Sequence, residues 1–144
     1  MDYYAIITDI WAVARNEEQA TLKGATMKIE KTAFGSITAD GITYEHDIVI
    51  TAKGKVKKRK KKLSKAIYGT SHIISLDEAK FVYEKGVKRL IIGTGQYDNV
   101  RLSEEAEAYF EKKGCRVRME ATPKAIKRFN KEEKTKIGLF HVTC

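Results

Sequence analysis

The stretch "VKRLIIGTGQYDNVRLSEEAE", residues 87–107, decides the fold. Its first six residues form a β-branched and apolar run that breaks at Gly93 and Gly95, and a helical pattern follows a few residues later. The run predicts a strand over 87–92, and Ser103 predicts a helix start, because a serine hydroxyl accepts one of the unpaired N–H groups of a first turn. Glu104 and Glu105 favour the positive end of that helix, and Gly114 stops it.

The same unit recurs on both sides. Downstream, "CRVRME" (115–120) predicts a strand, and Thr122-Pro123 reads as an N-cap with proline at the first helical position of a helix running to about Glu133. "KIGLFHVTC" (136–144) then predicts a closing buried strand. Upstream, Ser75-Leu76-Asp77-Glu78 has the form of a capping box that opens a helix at 76–85, with Gly86 ending it in a left-handed conformation. Strands alternating with helices of about ten residues argue for an α/β fold whose sheet is parallel or mostly parallel, with right-handed crossovers.

Residues 28–62 carry a different signal. Asp40-Gly41 and Lys53-Gly54 are turn sites that flank the β-branched segment 42–51, which predicts two or three antiparallel strands in front of the α/β part. The first 26 residues differ again. Tyr3, Ile6, Ile7, Ile10 and Ala14 share one helical face, so this N-terminal extension reads equally as an amphipathic helix docked on the domain or as the product of a misassigned start, with Met27 as the first residue. The expected domains are therefore the 1–26 extension and a single α/β domain at 27–144.

The totals narrow the class. A chain of 144 residues with 42% apolar content is the size of one domain with a proper core. Cys115 and Cys144 form no framework of disulfides or zinc ligands, and no stretch reaches the roughly 20 apolar residues that span a bilayer. With Asp2 and Asp9 in the first segment, a secretory signal is not supported, and the expected location is cytoplasmic, with no membrane partner. The formal charge is +9; residues 1–26 hold four acids and two bases, a net of −2, so residues 27–144 carry +11. Such a basic domain favours an acidic partner.

The glycine loop fails as a nucleotide signature. The third position of G-x-G-x-x-G is Asp98, and the predicted helix begins only near Ser103; the P-loop spacing and its lysine are missing as well. If the strands at 87–92 and 115–120 are parallel, their carboxyl ends share one edge of the sheet. Thr94, Gly95, Gln96, Thr122 and Lys124 would then face one crevice suited to a small polar or anionic ligand. The competing reading is that the glycines only permit the backbone its turn.

"KGKVKKRKKKLSK" (53–65) holds nine Lys or Arg in thirteen positions, with Lys57, Lys58, Arg59, Lys60, Lys61 and Lys62 as its centre. It reads as a nonspecific nucleic-acid surface, or more simply as an exposed edge strand whose lysines prevent pairing with other sheets. Aromatic interleaving, the mark of a base-stacking platform, is missing from it. His46, His72 and His141 show no metal-ligand spacing with the cysteines, so no metal and no cofactor are expected; His72, just before the first helix, is better placed than His46 to reach a cleft, with a satisfied structural histidine as the simpler reading. A catalytic pair of His141 and Cys144 is disfavoured, since strand residues three apart point to opposite faces. No catalytic residue is assigned.

Taken together, "AFGSITADGITYEHDIVI", "GTSHIISLDEA", "LIIGTGQ", "ATPKAIKRFN" and "GLFHVTC" resemble the Mth-type family of domains of unknown function, from about Met27 to Cys144. The resemblance implies a three-layer α/β fold with a mixed, mostly parallel central sheet, flanking helices and an N-terminal β-hairpin element. It supplies no reaction: Gly93, Thr94, Gly95, Thr122, Pro123, Asn130, His141 and Cys144 match its motifs without assigned roles. A distant assembly-factor relative implies protein binding. The expectation is therefore a non-enzymatic protein-binding or assembly-type module with an unknown protein partner, self-association included. An enzyme or sensor for a small polar or anionic ligand is the alternative, and nucleic-acid binding through residues 53–65 comes third.

Overall fold

A computed structural model describes residues 27–144, so the readings of the 1–26 extension lie outside the described residues. A sheet of three antiparallel strands comes first, built from β1 (Ile29–Ala33), β2 (Ser36–Ala39) and β3 (Ile42–Tyr44). The centre is a five-stranded mixed sheet. β4 (Ile48–Ile50), β5 (Val56–Lys58), β7 (Arg89–Thr94), β9 (Arg116–Glu120) and β10 (Lys136–His141) stand in it in the order β5-β4-β10-β7-β9. β10–β7 and β7–β9 are parallel, whereas β10–β4 and β4–β5 are antiparallel. Two short parallel strands, β6 (Ile73–Ile74) and β8 (Arg101–Leu102), pair with each other.

Period-two alternation along the central strands divides the core into two layers. Helix α1 (Lys62–Tyr68) follows β5, and α2 (Leu76–Val82), α3 (Glu104–Lys112) and α4 (Thr122–Lys131) follow in turn. Leu90 and Ile92 of β7, Ile137 and Leu139 of β10 and Val49 of β4 face one side, where they pack against α2 and α3 through Ala79, Val82, Ala106 and Phe110. Ile91, Phe140, Ile48 and Ile50 face the other side and meet α4 and the three-stranded sheet through Ala125, Phe129, Ile29, Ile37 and Ala39. The result is the three-layer α/β arrangement with an N-terminal antiparallel element that the resemblance implies.

Gly138 shows how tightly the second layer closes. A Cβ there would stand 2.5 Å from Phe140 Cε2 and 3.0 Å from Phe129 Cε1, and those two rings meet edge to face at 5.6 Å. Asn130 joins α4 to β1 by accepting from Ile29 N–H (2.9 Å) and donating to Ile29 O (2.8 Å), which gives this motif residue a structural role.

Several boundaries depart from expectation for identifiable reasons. Segment 42–51 is not one strand: a bend at Glu45 and His46 sends β3 and β4 into different sheets. The first predicted helix stops at Val82 rather than residue 85, with Tyr83 already extended and Gly86, φ +88°, serving the following turn. Helix α1, which ends at Gly69 in a left-handed conformation, begins inside the lysine run and lies outside the predicted helices. Thr122 is the first residue of α4 and Ala121 its N-cap, so the Thr122 hydroxyl is used elsewhere.

Candidate functional site

The carboxyl edge of the parallel strands is occupied by the chain itself. Gly95, φ +101°, turns the backbone so closely under Cys144 that a Cβ would collide with its carbonyl group. Gln96 N–H donates to Thr143 O at 2.7 Å and Tyr97 N–H to Cys144 O at 3.1 Å, so the glycine loop clasps residues 143–144. Thr122 Oγ1 accepts from Gly95 N–H (2.9 Å) and donates to His141 O (2.6 Å), tying α4, the loop and β10 together.

The sequence-predicted crevice residues therefore divide. Thr94, Gly95, Gln96 and Thr122 come together in one buried or half-buried cluster, with Thr94 Oγ1 on Asp98 Oδ1 at 2.5 Å and Gln96 Nε2 on Thr32 Oγ1 at 3.1 Å. Lys124 is exposed and lies apart, in a shallow surface depression it shares with Glu120, Lys127, Arg128, Lys131 and Glu132. The backbone N–H groups of Gly95, Gln96 and Tyr97 donate to carbonyls and a hydroxyl of this chain.

A larger concavity lies beside the antiparallel half of the sheet, where β10 ends. A cleft of about 820 Å³ is lined by Gly35, by Glu45 to Asp47, by Lys58 to Leu63, and by Val142 and Thr143. Pockets of roughly 300–1,000 Å³ are the size that takes small molecules. Lys58, Lys60, Lys61 and Lys62 contribute to its lining from one segment, whereas Arg59, at the centre of the same run, is buried and not a surface cation. Lys57 and Lys60 also extend over the Phe81 ring, each with its ammonium 4.7 Å from the centroid.

Beneath the lysines is a buried ion network. Arg59 donates through Nη1 to Asp47 Oδ2 (2.9 Å), through Nε to Glu78 Oε2 (2.6 Å), and through Nη2 to Glu78 Oε1 (3.1 Å) and Ser71 O (2.6 Å). Glu78 also accepts from Ser64 Oγ at 2.5 Å, and Ser64 Oγ in turn accepts from Ser75 N–H at 2.9 Å. The capping box is thus half made: Ser75 Oγ takes the Glu78 N–H, but the Glu78 carboxylate turns to the guanidinium instead of to Ser75 N–H. Arginine suits this place because its planar fork reaches both carboxylates at once.

Asp47 connects the network to the cleft. Its Oδ2 lies 2.7 Å from His141 Nδ1 and 3.6 Å from Lys61 Nζ, and its Oδ1 accepts from Val142 N–H at 2.9 Å. Burial alone would raise the Asp47 carboxyl, but hydrogen bonding and charge from His141, the Val142 N–H and the Arg59 charge outweigh it and hold the group at about 2. Burial likewise works against the Arg59 charge, and Glu78 and Asp47 more than restore it. His141 Nε2 then lies 3.1 Å from Thr143 Oγ1. His72 sits behind this group, its ring 5.3 Å from that of His141, with its proton affinity lowered by burial and by the neighbouring positive groups.

Sequence reasoning misses this network because its partners lie far apart along the chain. Asp47 and Thr143 carry no local signal, Glu78 reads as half of a cap, and Arg59 reads as one more cation of the basic run. One signal is present: a lone arginine among lysines, the cation best suited to a buried bidentate pair. Among the described residues, no cluster of three or more His, Cys, Asp or Glu is arranged to hold a metal ion, and no helix is long and apolar enough to cross a membrane.

A five-stranded mixed sheet between a helical layer and a layer that includes an antiparallel three-stranded sheet, with a basic cleft beside it, defines the structural class. The chain belongs to the family described as a protein of unknown function (DUF498/DUF598), whose model matches residues 29–139. A conserved hypothetical protein from Pyrococcus horikoshii, PH1505, is 33% identical with a TM-score of 0.77; the match covers 82% of this chain and 100% of that one. A structure described as MT938 is 30% identical with a TM-score of 0.71, covering 82% and 99%. A Bordetella pertussis protein described as a Mth938-like domain shares the fold at 15% identity and a TM-score of 0.56, covering 82% and 87%. The Mth-type resemblance is thereby established.

Proposed function

We propose that the protein binds a small anionic molecule in the lysine-lined cleft. One observation carries this reading: Lys58, Lys60, Lys61 and Lys62 line a cleft of about 820 Å³ whose lining also includes the buried Asp47–Arg59 pair. Within that lining the acids are Glu45 and Asp47, and Asp47 is already matched by Arg59 and His141. The surplus positive charge of the lysines is left for a ligand. Partly enclosed by low-dielectric walls, such charges act more strongly on an anion than the same lysines on a flat surface.

The test is titration calorimetry with inorganic pyrophosphate and with succinate at low salt. Saturable binding of either that weakens at least tenfold in a Lys58→Glu, Lys61→Glu double variant supports the reading. Equal, unsaturable heats from both proteins would remove it.

A second reading, self-association, has its own observation. Phe34 at a hairpin tip and Tyr97 in the glycine loop are 60% and 70% exposed, with ring centroids 6.2 Å apart. Aromatic pairs left on a surface are common anchors of protein interfaces. Sedimentation velocity across a hundredfold concentration range, with Phe34→Glu as control, tests whether a second copy of the chain covers them.

A further inference from the structure

We infer that Thr143, His141 and Asp47 form a nucleophile–base–carboxylate relay that cleaves activated esters of anionic acids in the cleft. The inference rests on the anion-binding reading of that cleft and adds a reaction to it.

The geometry is continuous from the protein interior to the cleft wall. Asp47 Oδ2 lies 2.7 Å from His141 Nδ1, and His141 Nε2 lies 3.1 Å from Thr143 Oγ1. Both distances are within the reach expected of a base and the group that orients it. Asp47 also accepts hydrogen bonds from Arg59 and Val142, so as a carboxylate it can only accept, and the proton between it and the ring belongs to Nδ1. In the neutral imidazole Nε2 is then the acceptor, and the Thr143 hydroxyl donates to it. Thr143 is half-buried and lines the cleft, while His141 is fully buried behind it.

Local structure explains why these residues meet. His141 ends β10 and Thr143 follows it by two positions, the spacing that returns a side chain to the same face of extended chain. Gln96 N–H on Thr143 O and Val142 N–H on Asp47 hold the backbone on either side of the hydroxyl. Lys61 supplies a flexible positive charge to the same cleft, available to a developing oxyanion or to the anionic end of the acyl group.

The reaction balances without any redox partner. Thr143 Oγ forms a bond to the acyl carbon while its proton passes to His141 Nε2. The bond from that carbon to the leaving oxygen breaks, and the leaving alcohol takes the proton from Nε2. Water then attacks the acyl-threonine, giving a proton to Nε2; the carbon–Oγ bond breaks, Thr143 recovers the proton and the free acid leaves. Thr143 and His141 are the catalytic residues, and Asp47 is a positioning residue that keeps the ring oriented.

The experiment compares the mono-4-nitrophenyl ester of succinate with 4-nitrophenyl acetate, alongside calorimetric binding of succinate. Release of 4-nitrophenolate well above the buffer rate, with an acyl adduct on Thr143 found by mass spectrometry after acid quench, is expected. Thr143→Ala should abolish adduct and turnover, Thr143→Ser should keep both, and Asp47→Asn should lower kcat at least about tenfold with KM unchanged. Turnover of the acetate ester through a Thr143 adduct, with neither succinate nor pyrophosphate bound, supports the relay and removes the anion reading. Binding of either anion by a folded wild-type protein with neither turnover nor adduct overturns the relay alone; the loss of anion binding, turnover and adduct together overturns both.

Discussion

His141 Nδ1 lies 2.7 Å from Asp47 Oδ2 across 94 residues of sequence, and both side chains are 1% exposed. This contact joins the last strand of the central sheet to the loop before β4, and through Arg59 it reaches Glu78 on α2. A buried charge is tolerated only when paired and hydrogen-bonded, which makes the network the place where stability and function meet.

Removing the guanidinium should be the most damaging single change at the site. Arg59→Met leaves Asp47 and Glu78 without their shared cation. A loss of about 3–5 kcal/mol is expected from stripping one partner from a buried pair. Urea denaturation measures it, and a loss below about 1 kcal/mol would mean that the network is not formed in solution.

The depressed Asp47 carboxyl predicts the direction of acid sensitivity. Its value falls from an ordinary 3.8 to about 2 on folding, so the unfolded chain binds the proton more tightly. The contribution, about 2 kcal/mol, is fully present above about pH 4 and is lost as the pH falls through about 2. Thermal melts of wild type and Asp47→Asn between about pH 6 and 2 should converge at the acid end. Curves that stay parallel contradict the assignment.

Two glycines separate conformational cost from collision. Gly41→Ala, with φ +81° and open space around the new methyl group, should lose only about 1 kcal/mol for the left-handed conformation. Gly95→Ala adds a collision with the backbone of Cys144, which cannot swing away as a side chain can, and should lose roughly 3 kcal/mol or more. Comparable melting temperatures for the two variants would show that the clasp of residues 143–144 is loose.

Thr122 separates the glycine-loop site from the cleft. Thr122→Val deprives Gly95 N–H and His141 O of their partner and should lose about 2–4 kcal/mol, whereas Thr122→Ser should stay near wild type. Anion binding to the cleft should survive in folded Thr122→Val. A variant that keeps its stability but loses anion binding would return the site to the glycine loop.

Local signals are legible in the sequence because local chemistry makes them. Ser103 caps its helix by accepting from Ala106 N–H, Gly114 takes the left-handed turn, and β7, β9 and β10 overlap the predicted strand segments, with β7 running on through Gly93 to Thr94 and β10 ending at His141. The site is less legible, since Asp47, Arg59, Glu78 and His141 have no common spacing and become neighbours only when β4, β5, α2 and β10 assemble. Composition also conceals Arg59: within a run of lysines it reads as one more solvated cation, its residue type is the one local hint, and its planar fork between two carboxylates shows its different place. Thr122 stands out in the sequence for a different reason from the one the fold supplies. It has the pattern of a cap, and its hydroxyl instead bridges a loop and a strand.

The central claim is that the lysine-lined cleft is the binding site, and the most direct test is a 1H–15N NMR titration with inorganic pyrophosphate. Saturable shifts clustered at Gly35, His46, Lys61 and Thr143, and lost in the Lys58→Glu, Lys61→Glu variant, are the predicted result. Shifts centred on Thr94, Gly95 and Gln96, or no saturable shifts at all, would contradict it.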